Sequence, residues 1–219
     1  MRKRFQNRAE AGQRLATKLT QYAHRPDVIV LGLPRGGVPV ACEVARNLHG
    51  PLDIFIVRKL GVPGHEELAM GAIARGEVRV LNAEVIEALQ IPDEVINQVA
   101  ALEWSELERR EQTYRGNRPP PELLGRTVIL VDDGLATGST MRAAVAALRQ
   151  MEVRSIVVAI PVAALATVRE MQAEVEELVV VLAPAQFFSV GQWYADFSQT
   201  TDAEVRELLD PSLKRMNPV

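Results

Sequence analysis

Five short apolar runs alternate along the chain with longer stretches that carry an apolar face at helical spacing. The apolar runs are continuous, as expected of strands that are buried on both faces of a parallel sheet. They begin at Val28, Asp53, Arg126, Ser155 and Leu178. The helical stretches cover about residues 8–22, 38–49, 141–151 and 163–175. This order predicts an α/β fold, with a parallel, Rossmann-like sheet flanked by helices and joined by right-handed crossovers.

The stretch over about residues 60–122 is too long for a simple crossover between two strands. It opens with a segment that carries glycine and proline, Gly61–Glu67, which we expect to be a flexible loop. This loop is either part of a purely structural insertion or a lid that closes over a site. A hairpin with its turn near Gly76 follows, and then an amphipathic helix over about residues 93–114. The pattern therefore predicts an insert of loop, hairpin and helix within the sheet domain.

Composition narrows the class of protein. The 219 residues are 47% hydrophobic and 24% charged, as in an ordinary globular domain. The formal net charge of −3 argues against a basic surface that holds nucleic acid. No apolar run reaches the roughly 18 residues that a membrane span needs, and a single cysteine fits a reducing compartment. We expect one cytoplasmic domain over residues 1–219, with neither nucleic acid nor membrane as a partner.

Polar clusters follow three of the predicted strands. Residues 34–37 follow the first strand, Arg58 and Lys59 end the second, and residues 132–140 follow the third. The carboxyl ends of parallel strands meet at one edge of the sheet, where open α/β sheets bind their ligands. We therefore expect the three clusters to form one site.

The third cluster is the most informative. Asp132 and Asp133 are followed by a loop of small and hydroxyl residues that leads into a helix: Ala136, Thr137, Gly138, Ser139 and Thr140. Such a loop at a helix N-terminus suits a phosphate group. Carboxylates repel phosphate, so the two acids should contact ribose hydroxyls or a cation instead. The simpler alternative is a helix cap by a hydroxyl residue, with the two acids in a turn.

Two strings resemble a known family. VILVDDGLATGST, Val128–Thr140, resembles the signature of type I phosphoribosyltransferases that binds phosphoribosyl pyrophosphate (PRPP), and LPRGGVPVA, Leu33–Ala41, resembles their pyrophosphate loop. The resemblance covers roughly residues 28–161 of the chain. It implies a phosphoribosyltransferase of nucleotide metabolism that uses Mg²⁺ to move ribose 5-phosphate between PRPP and a nitrogenous, nucleobase-like acceptor. It also implies a homodimer.

The resemblance further implies a role for each motif. Asp132 and Asp133 would hold the ribose hydroxyls and help to position Mg²⁺, while residues 136–140 would wrap the 5-phosphate. Arg58 and Lys59 would place positive charge over the leaving group, which makes them candidate catalytic residues together with the two acids. The pyrophosphate would be bound by Pro34, Arg35, Gly36 and Gly37, with a cis peptide between the first two.

Two positions depart from the family pattern. Enzymes that act on 6-oxopurines usually carry an aspartate where this sequence has Ala136. A branched apolar residue is common where this sequence has Gly134. Neither departure identifies the acceptor.

The acceptor should bind beneath a small C-terminal hood, over about residues 184–219, which together with the N-terminal helix covers a core over about residues 24–183. Five aromatic residues fall between positions 187 and 197, and we expect Phe187, Trp193 and Tyr194 to line the acceptor pocket. Aromatic faces suit a flat acceptor. The alternative is that these rings form the core of the hood or a dimer contact.

The sequence leaves a second function open, that of a regulatory protein that binds PRPP without catalysis. A sensor needs only the phosphate loop, so the presence of Arg35, Arg58, Lys59 and the acidic pair favours the enzyme. A hydrolase is less favoured because the sequence offers no evident activated nucleophile.

Overall fold

The computed structural model describes residues 4–210, apart from the side chain of Glu67, so the last part of the expected hood, residues 211–219, lies outside the described residues. The helices are α1 Arg8–Ala16, α2 Gly37–Leu48, α3 Ala83–Leu89, α4 Asp93–Arg115, α5 Ser139–Gln150, α6 Leu165–Met171 and α7 Asp202–Leu209. The strands are β1 Val28–Gly32, β2 Leu52–Ile54, β3 Val57–Val62, β4 His65–Ala74, β5 Val78–Leu81, β6 Thr127–Val131, β7 Ser155–Val162 and β8 Glu177–Leu182.

The main sheet has five parallel strands in the order β2-β1-β6-β7-β8, which confirms the predicted α/β fold. All five residues of β1 and of β6 are buried. Successive strand residues point to opposite faces: Ile29 and Leu31 pack toward α5 and α6, whereas Val28 and Val30 pack toward α1 and α2. The chain turns to one side after β1 and to the other after β6, so a crevice opens between their carboxyl ends.

The second predicted strand is wrong in its extent. The run from Asp53 to Lys59 breaks into two strands that belong to different sheets, and β2 ends at Ile54. At this point Arg115 of α4 donates to the carbonyl oxygen of Ile54 at 3.0 Å and to the carboxylate of Asp53 at 3.1 Å, which closes off the edge strand. The break after Ile54 cannot be seen in the sequence, because the apolar residues before and after it are both buried.

The insert contains the predicted hairpin and long helix, which are β4–β5 with a turn around Gly76 and α4. Strands β3, β4 and β5 form an antiparallel sheet of their own. The segment Gly61–Glu67, predicted as a loop, is instead the end of β3, a tight turn and the start of β4. Helix α3 was not predicted; the Asn82 side chain caps it by accepting a hydrogen bond from the backbone.

The expected hood divides into two parts. Its first part joins the N-terminus, since the backbone N–H of Phe5 donates to the carbonyl oxygen of Trp193 at 2.8 Å. The second part, α7, packs elsewhere: Val205 and Leu209 lie in the apolar cluster of α4 and the small sheet. The predicted hood over 184–219 is therefore not one packed unit within the described residues. No helix between residues 4 and 210 is both long and apolar enough to span a bilayer.

Candidate active site

The loop after β1 packs directly on the acidic pair after β6. Its Pro34–Arg35 peptide bond is cis, which confirms that expectation. A β-carbon on Gly36 would lie 2.1 Å from Oδ2 of Asp133, and one on Gly37 would lie 2.6 Å from the carbonyl oxygen of Val131. A side chain at either position would overlap the end of β6, so the two motifs require glycine where they meet.

The two carboxylates stand side by side at the end of β6. Oδ1 of Asp132 accepts a hydrogen bond from the backbone N–H of Asp133 at 2.8 Å. Burial raises the pKa of Asp132 well above its usual range, and the charge of Asp133 raises it further. Burial also raises the pKa of Asp133, while the nearby guanidinium of Arg8 lowers it. Two half-buried like charges favour the approach of a cation or of hydroxyl donors.

Arg8 is a site residue that the sequence did not reveal. Its Nε donates to Oδ2 of Asp133 at 2.8 Å, and the two side chains are only 12% and 14% exposed. Arg8 begins the N-terminal helix, far from Asp133 along the chain. No local motif or spacing links the two positions, so only the fold brings them together.

The loop before α5 is open to solvent on the side where a phosphate would bind. Gly138 precedes the helix in the left-handed region, with φ +76°, and Thr137 and Thr140 are exposed. The other side is anchored: Thr167 donates to the carbonyl oxygen of Ala136 at 2.5 Å, and Arg142 donates to that of Thr137 at 2.8 Å. The first N–H groups of a helix have no partner within it, so α5 offers donors to an anion here.

Lys59 and Arg58 point to opposite faces of β3, as neighbours in a strand do. Nζ of Lys59 lies 3.4 Å from the hydroxyl of Ser139, the first residue of α5. Nε of Arg58 donates to Glu103 of α4 at 2.6 Å. The two cations therefore do not lie together, and their expected role over the leaving group stays a prediction.

Arg35 leans toward the helices of the insert and the C-terminus. Its Nη1 lies 3.6 Å from Oδ1 of Asp202, and 37% of the side chain is exposed. The same carboxylate oxygen accepts a hydrogen bond from the hydroxyl of Tyr114 at 2.8 Å. The contact between Arg35 and Asp202 is long and solvated, so the guanidinium can reorient at little cost when an anion binds.

Of the five aromatic residues between positions 187 and 197, only Tyr194 is buried. Tyr194 is 4% exposed and packs against Phe5 and Phe197, with ring centroids 5.4 and 5.1 Å away. Its hydroxyl donates to the carbonyl oxygen of Asp133 at 2.5 Å. Tyr194 thus occupies the hood core, which was the alternative interpretation. Phe187 and Trp193 are half-buried beside the same cluster, and their role toward an acceptor stays a prediction.

The departure at Gly134 has a structural reason. A β-carbon at this position would lie 2.3 Å from Cγ1 of Val190 in the hood. The branched side chain that the family commonly carries here is replaced in space by the branched side chain of Val190. Gly134 therefore lets the hood approach the residues that follow the acidic pair.

Two cavities lie away from this edge, with volumes of about 1090 and 390 Å³. They open between the β4–β5 turn, α4 and the proline segment, and neither is lined by residues 34–37 or 132–140. Two of their lining arginines, Arg75 and Arg115, pair with Glu111. Within residues 4–210, no cluster of three or more His, Cys, Asp or Glu side chains could hold a metal ion.

Known proteins resemble this chain in sequence and in fold. The phosphoribosyl transferase domain model matches residues 3–192. A protein named "Putative phosphoribosyl transferase" in two strains of Mycobacterium tuberculosis is 44% identical over 208 residues, which cover 95% of this chain and 47% of that protein. The chain thus spans about half the length of the curated relatives it matches. The crystal structure of TT1426 from Thermus thermophilus superposes with a TM-score of 0.85 at 42% identity, covering 94% of this chain and 97% of that one. The chain belongs to the phosphoribosyltransferase family.

Proposed function

We propose that this chain binds PRPP at the crevice between β1 and β6 and transfers its ribose 5-phosphate to a nitrogenous, nucleobase-like acceptor. The observation that carries the proposal is the direct packing of Gly36 on Asp133, which joins the pyrophosphate loop to the acidic pair. A ligand with a phosphate at one end, a ribose in the middle and a pyrophosphate at the other end suits the three adjoining parts of this edge.

The 5-phosphate binds at residues 136–140 in this proposal. The N-terminus of α5 supplies N–H groups and a partial positive charge, and Thr137, Ser139 and Thr140 supply hydroxyl groups. The 3.4 Å contact between Lys59 and Ser139 supports a role for the lysine at the 5-phosphate rather than over the leaving group.

The ribose binds beside Asp132 and Asp133, whose carboxylates accept hydrogen bonds from its hydroxyl groups. The same pair fits Mg²⁺, because this cation is commonly held by one or two carboxylates together with substrate oxygens and water. Bound there, Mg²⁺ would neutralise negative charge on the pyrophosphate. Burial and the charge of Asp133 raise the pKa of Asp132, so a cation that arrives with the substrate would stabilise its ionised form.

In the reaction, the bond from C1 of ribose to the pyrophosphate oxygen breaks, and its electron pair leaves with the pyrophosphate. A nitrogen of the acceptor forms the new bond to C1 with its own electron pair, and the proton it loses passes to solvent. The carboxylates stabilise the positive charge that develops on the ribose ring. Arg35 and the N–H groups of Gly36 and Gly37 receive the leaving group, so the chain acts mainly by positioning and charge neutralisation.

Water must be kept from the reactive ribose. The tip of the β3–β4 hairpin, Gly61–Glu67, is our candidate for the lid, and the hood residues around Trp193 close the opposite side. Phe187 and Trp193 are the candidates that contact the acceptor. A homodimer and a cytoplasmic location complete the proposal.

A second candidate is a regulatory protein that binds PRPP without turnover. The ion pair between Arg58 and Glu103 favours it, since a cation expected over the leaving group is engaged by α4 instead. The enzyme remains the better-supported function because Arg35 and both acids adjoin the crevice outside the phosphate loop, which is all that a sensor needs.

A pyrophosphate-release assay distinguishes the two. Purified protein with Mg²⁺ and PRPP is challenged with a panel of purine, pyrimidine and pyridine bases, and PRPP affinity is measured in parallel. Release that depends on one base supports the transferase and names its acceptor. Tight PRPP binding without release from any base supports the regulatory protein. Absence of PRPP binding contradicts both.

A further inference from the structure

One oxygen of the Asp133 carboxylate is held from two sides. Oδ2 accepts the hydrogen bond from Nε of Arg8 at 2.8 Å. The same oxygen lies against Gly36, where an added β-carbon would be 2.1 Å away, whereas Oδ1 would be 3.3 Å from that carbon. The carboxylate is therefore anchored through Oδ2.

Arg8 is itself fixed by the hood. Its Nη1 donates to the carbonyl oxygen of Ser198 at 2.7 Å, and its guanidinium lies 4.0 Å from the ring centroid of Phe197. Phe197 packs on Tyr194, whose hydroxyl donates back to the carbonyl oxygen of Asp133. The contacts form a closed ring that runs from the side chain of Asp133 through Arg8 and two aromatic residues to its backbone.

The ion pair between Arg8 and Asp133 is unlike an ion pair on the protein surface. Exposed pairs contribute little because water and salt screen them. Here both side chains are almost covered, at 12% and 14% exposure, and removal of one partner would leave the other charge buried. An arginine can make this arrangement because its planar fork donates in several directions at once.

We propose that Arg8 is a positioning residue for the ribose subsite: it holds Oδ2 of Asp133 so that Oδ1 faces the crevice, and it makes ribose binding depend on the hood. This inference rests on the proposed function, since it assigns Arg8 to the ribose end of the PRPP site. Arg8 acts through Asp133 and does not itself touch the ribose.

The chain offers a matched control. Arg14 lies about 1.7 turns further along the same helix, and its guanidinium packs over the ring of Phe5 at 4.6 Å. Arg14→Gln therefore removes an arginine of α1 that stacks on a hood aromatic, without removing the hydrogen bond to Asp133. Arg8→Gln removes both the stacking and the hydrogen bond.

The experiment compares two ligands by titration calorimetry or competition: ribose 5-phosphate, which has the ribose hydroxyls, and inorganic phosphate, which lacks them. Arg8→Gln should weaken ribose 5-phosphate binding by about tenfold, the effect of losing a charged hydrogen bond, and leave inorganic phosphate binding unchanged. Arg14→Gln should alter neither. Arg8→Lys keeps the charge but not the fork and should lie in between; it is used if Arg8→Gln melts below the assay temperature.

The Asp133→Asn background gives the second readout. If Arg8 acts through Asp133, adding Arg8→Gln to this variant should weaken ribose 5-phosphate binding no further. The proposal is overturned if Arg8→Gln weakens the binding of ribose 5-phosphate and of inorganic phosphate equally. It is also overturned if Arg8→Gln still weakens ribose 5-phosphate binding in the Asp133→Asn background. If the wild-type protein binds no PRPP, the proposed function has failed; if it binds PRPP and Arg8→Gln binds ribose 5-phosphate equally well, only the role of Arg8 has failed.

Discussion

Gly36 and Asp133 are in such close contact that a β-carbon on the glycine would lie 2.1 Å from the carboxylate oxygen. The glycine has ordinary helical torsions, φ −63° and ψ −32°, so its backbone conformation would accept any residue. Space alone therefore demands glycine here. The contact joins the loop after β1, the proposed pyrophosphate loop, to the acidic pair, although they come from distant parts of the chain.

Gly36→Ala should displace this unit. The methyl group must push Asp133 or the loop aside, so we expect PRPP affinity to fall by at least about tenfold and stability to fall by about 1–3 kcal/mol. Calorimetric PRPP titration and thermal melting measure the two effects. Gly50→Ala is the control, since a β-carbon at Gly50 meets no atom within 4 Å. Unchanged PRPP affinity in Gly36→Ala would refute the coupling of the two motifs.

Asp132→Asn should stabilise the protein in the absence of ligand. The folded-state pKa of Asp132 lies above the unfolded value of 3.8 because of burial and of the charge of Asp133. The ionised carboxylate therefore destabilises the fold at neutral and higher pH, and that cost is relieved as the pH falls through the raised pKa. Each pKa unit is worth about 1.4 kcal/mol, which corresponds to about 3–6 °C in Tm for a chain of this size. PRPP affinity should fall at the same time.

The pH dependence of Tm provides the check. The increase in Tm of Asp132→Asn over the wild type should be full at pH values above the raised pKa of Asp132. It should vanish as the pH approaches 3.8, the unfolded value. Asp27→Asn is the opposite control: the hydrogen bond from Arg25 lowers the pKa of Asp27 to about 2, so this variant should lose stability at neutral pH. A lower Tm for ligand-free Asp132→Asn at neutral pH would contradict the electrostatic picture of the site.

Gly134→Val should clash with the hood. Its β-carbon would lie 2.3 Å from Cγ1 of Val190, so we expect destabilisation of about 1–3 kcal/mol. The double variant Gly134→Val with Val190→Gly restores the space from the other side and should be more stable than the sum of the two single changes by at least about 1 kcal/mol. Denaturant unfolding of the four proteins measures this. Additive effects would show that the two residues do not share one space.

Lys59→Gln should weaken the binding of ribose 5-phosphate and of PRPP to a similar extent. The lysine lies 3.4 Å from the hydroxyl of Ser139 in the phosphate loop, and losing a charged contact to phosphate costs about tenfold. Arg58→Gln is the comparison, because Arg58 points to Glu103 on the other face of the strand. Arg58→Gln should lower the affinity for either ligand by less than about threefold. If Lys59→Gln instead weakened inorganic pyrophosphate and spared ribose 5-phosphate, the lysine would belong at the leaving group.

The sequence predicted those features that short strings determine. Strands β1 and β6 are continuous apolar runs, so they could be predicted. The motifs that follow them, residues 34–37 and 132–140, are short strings, so their meeting at the carboxyl ends of the two strands could be predicted as well. The run from Asp53 to Lys59 misled because burial continues through the break after Ile54. An apolar run records burial and does not show which sheet a residue joins.

The remaining features depend on contacts between distant residues. Nothing near Arg8 indicates that it pairs with Asp133, and nothing near Gly134 indicates that Val190 fills its side-chain space. The aromatic residues of the hood were equally compatible with a pocket and with a core. Packing decides between these for Tyr194, which the fold buries between Phe5 and Phe197.

The most direct test of the central claim is a calorimetric titration of PRPP, with Mg²⁺ present, into the wild-type protein and into a phosphate-loop variant, Thr137→Val with Ser139→Ala. These hydroxyl residues lie at the N-terminus of α5, where the 5-phosphate is proposed to bind. We expect saturable binding at one site per chain and a loss of about tenfold or more in the variant. Absence of PRPP binding by the wild-type protein, or equal binding by the two proteins, would contradict a PRPP site at this edge of the sheet.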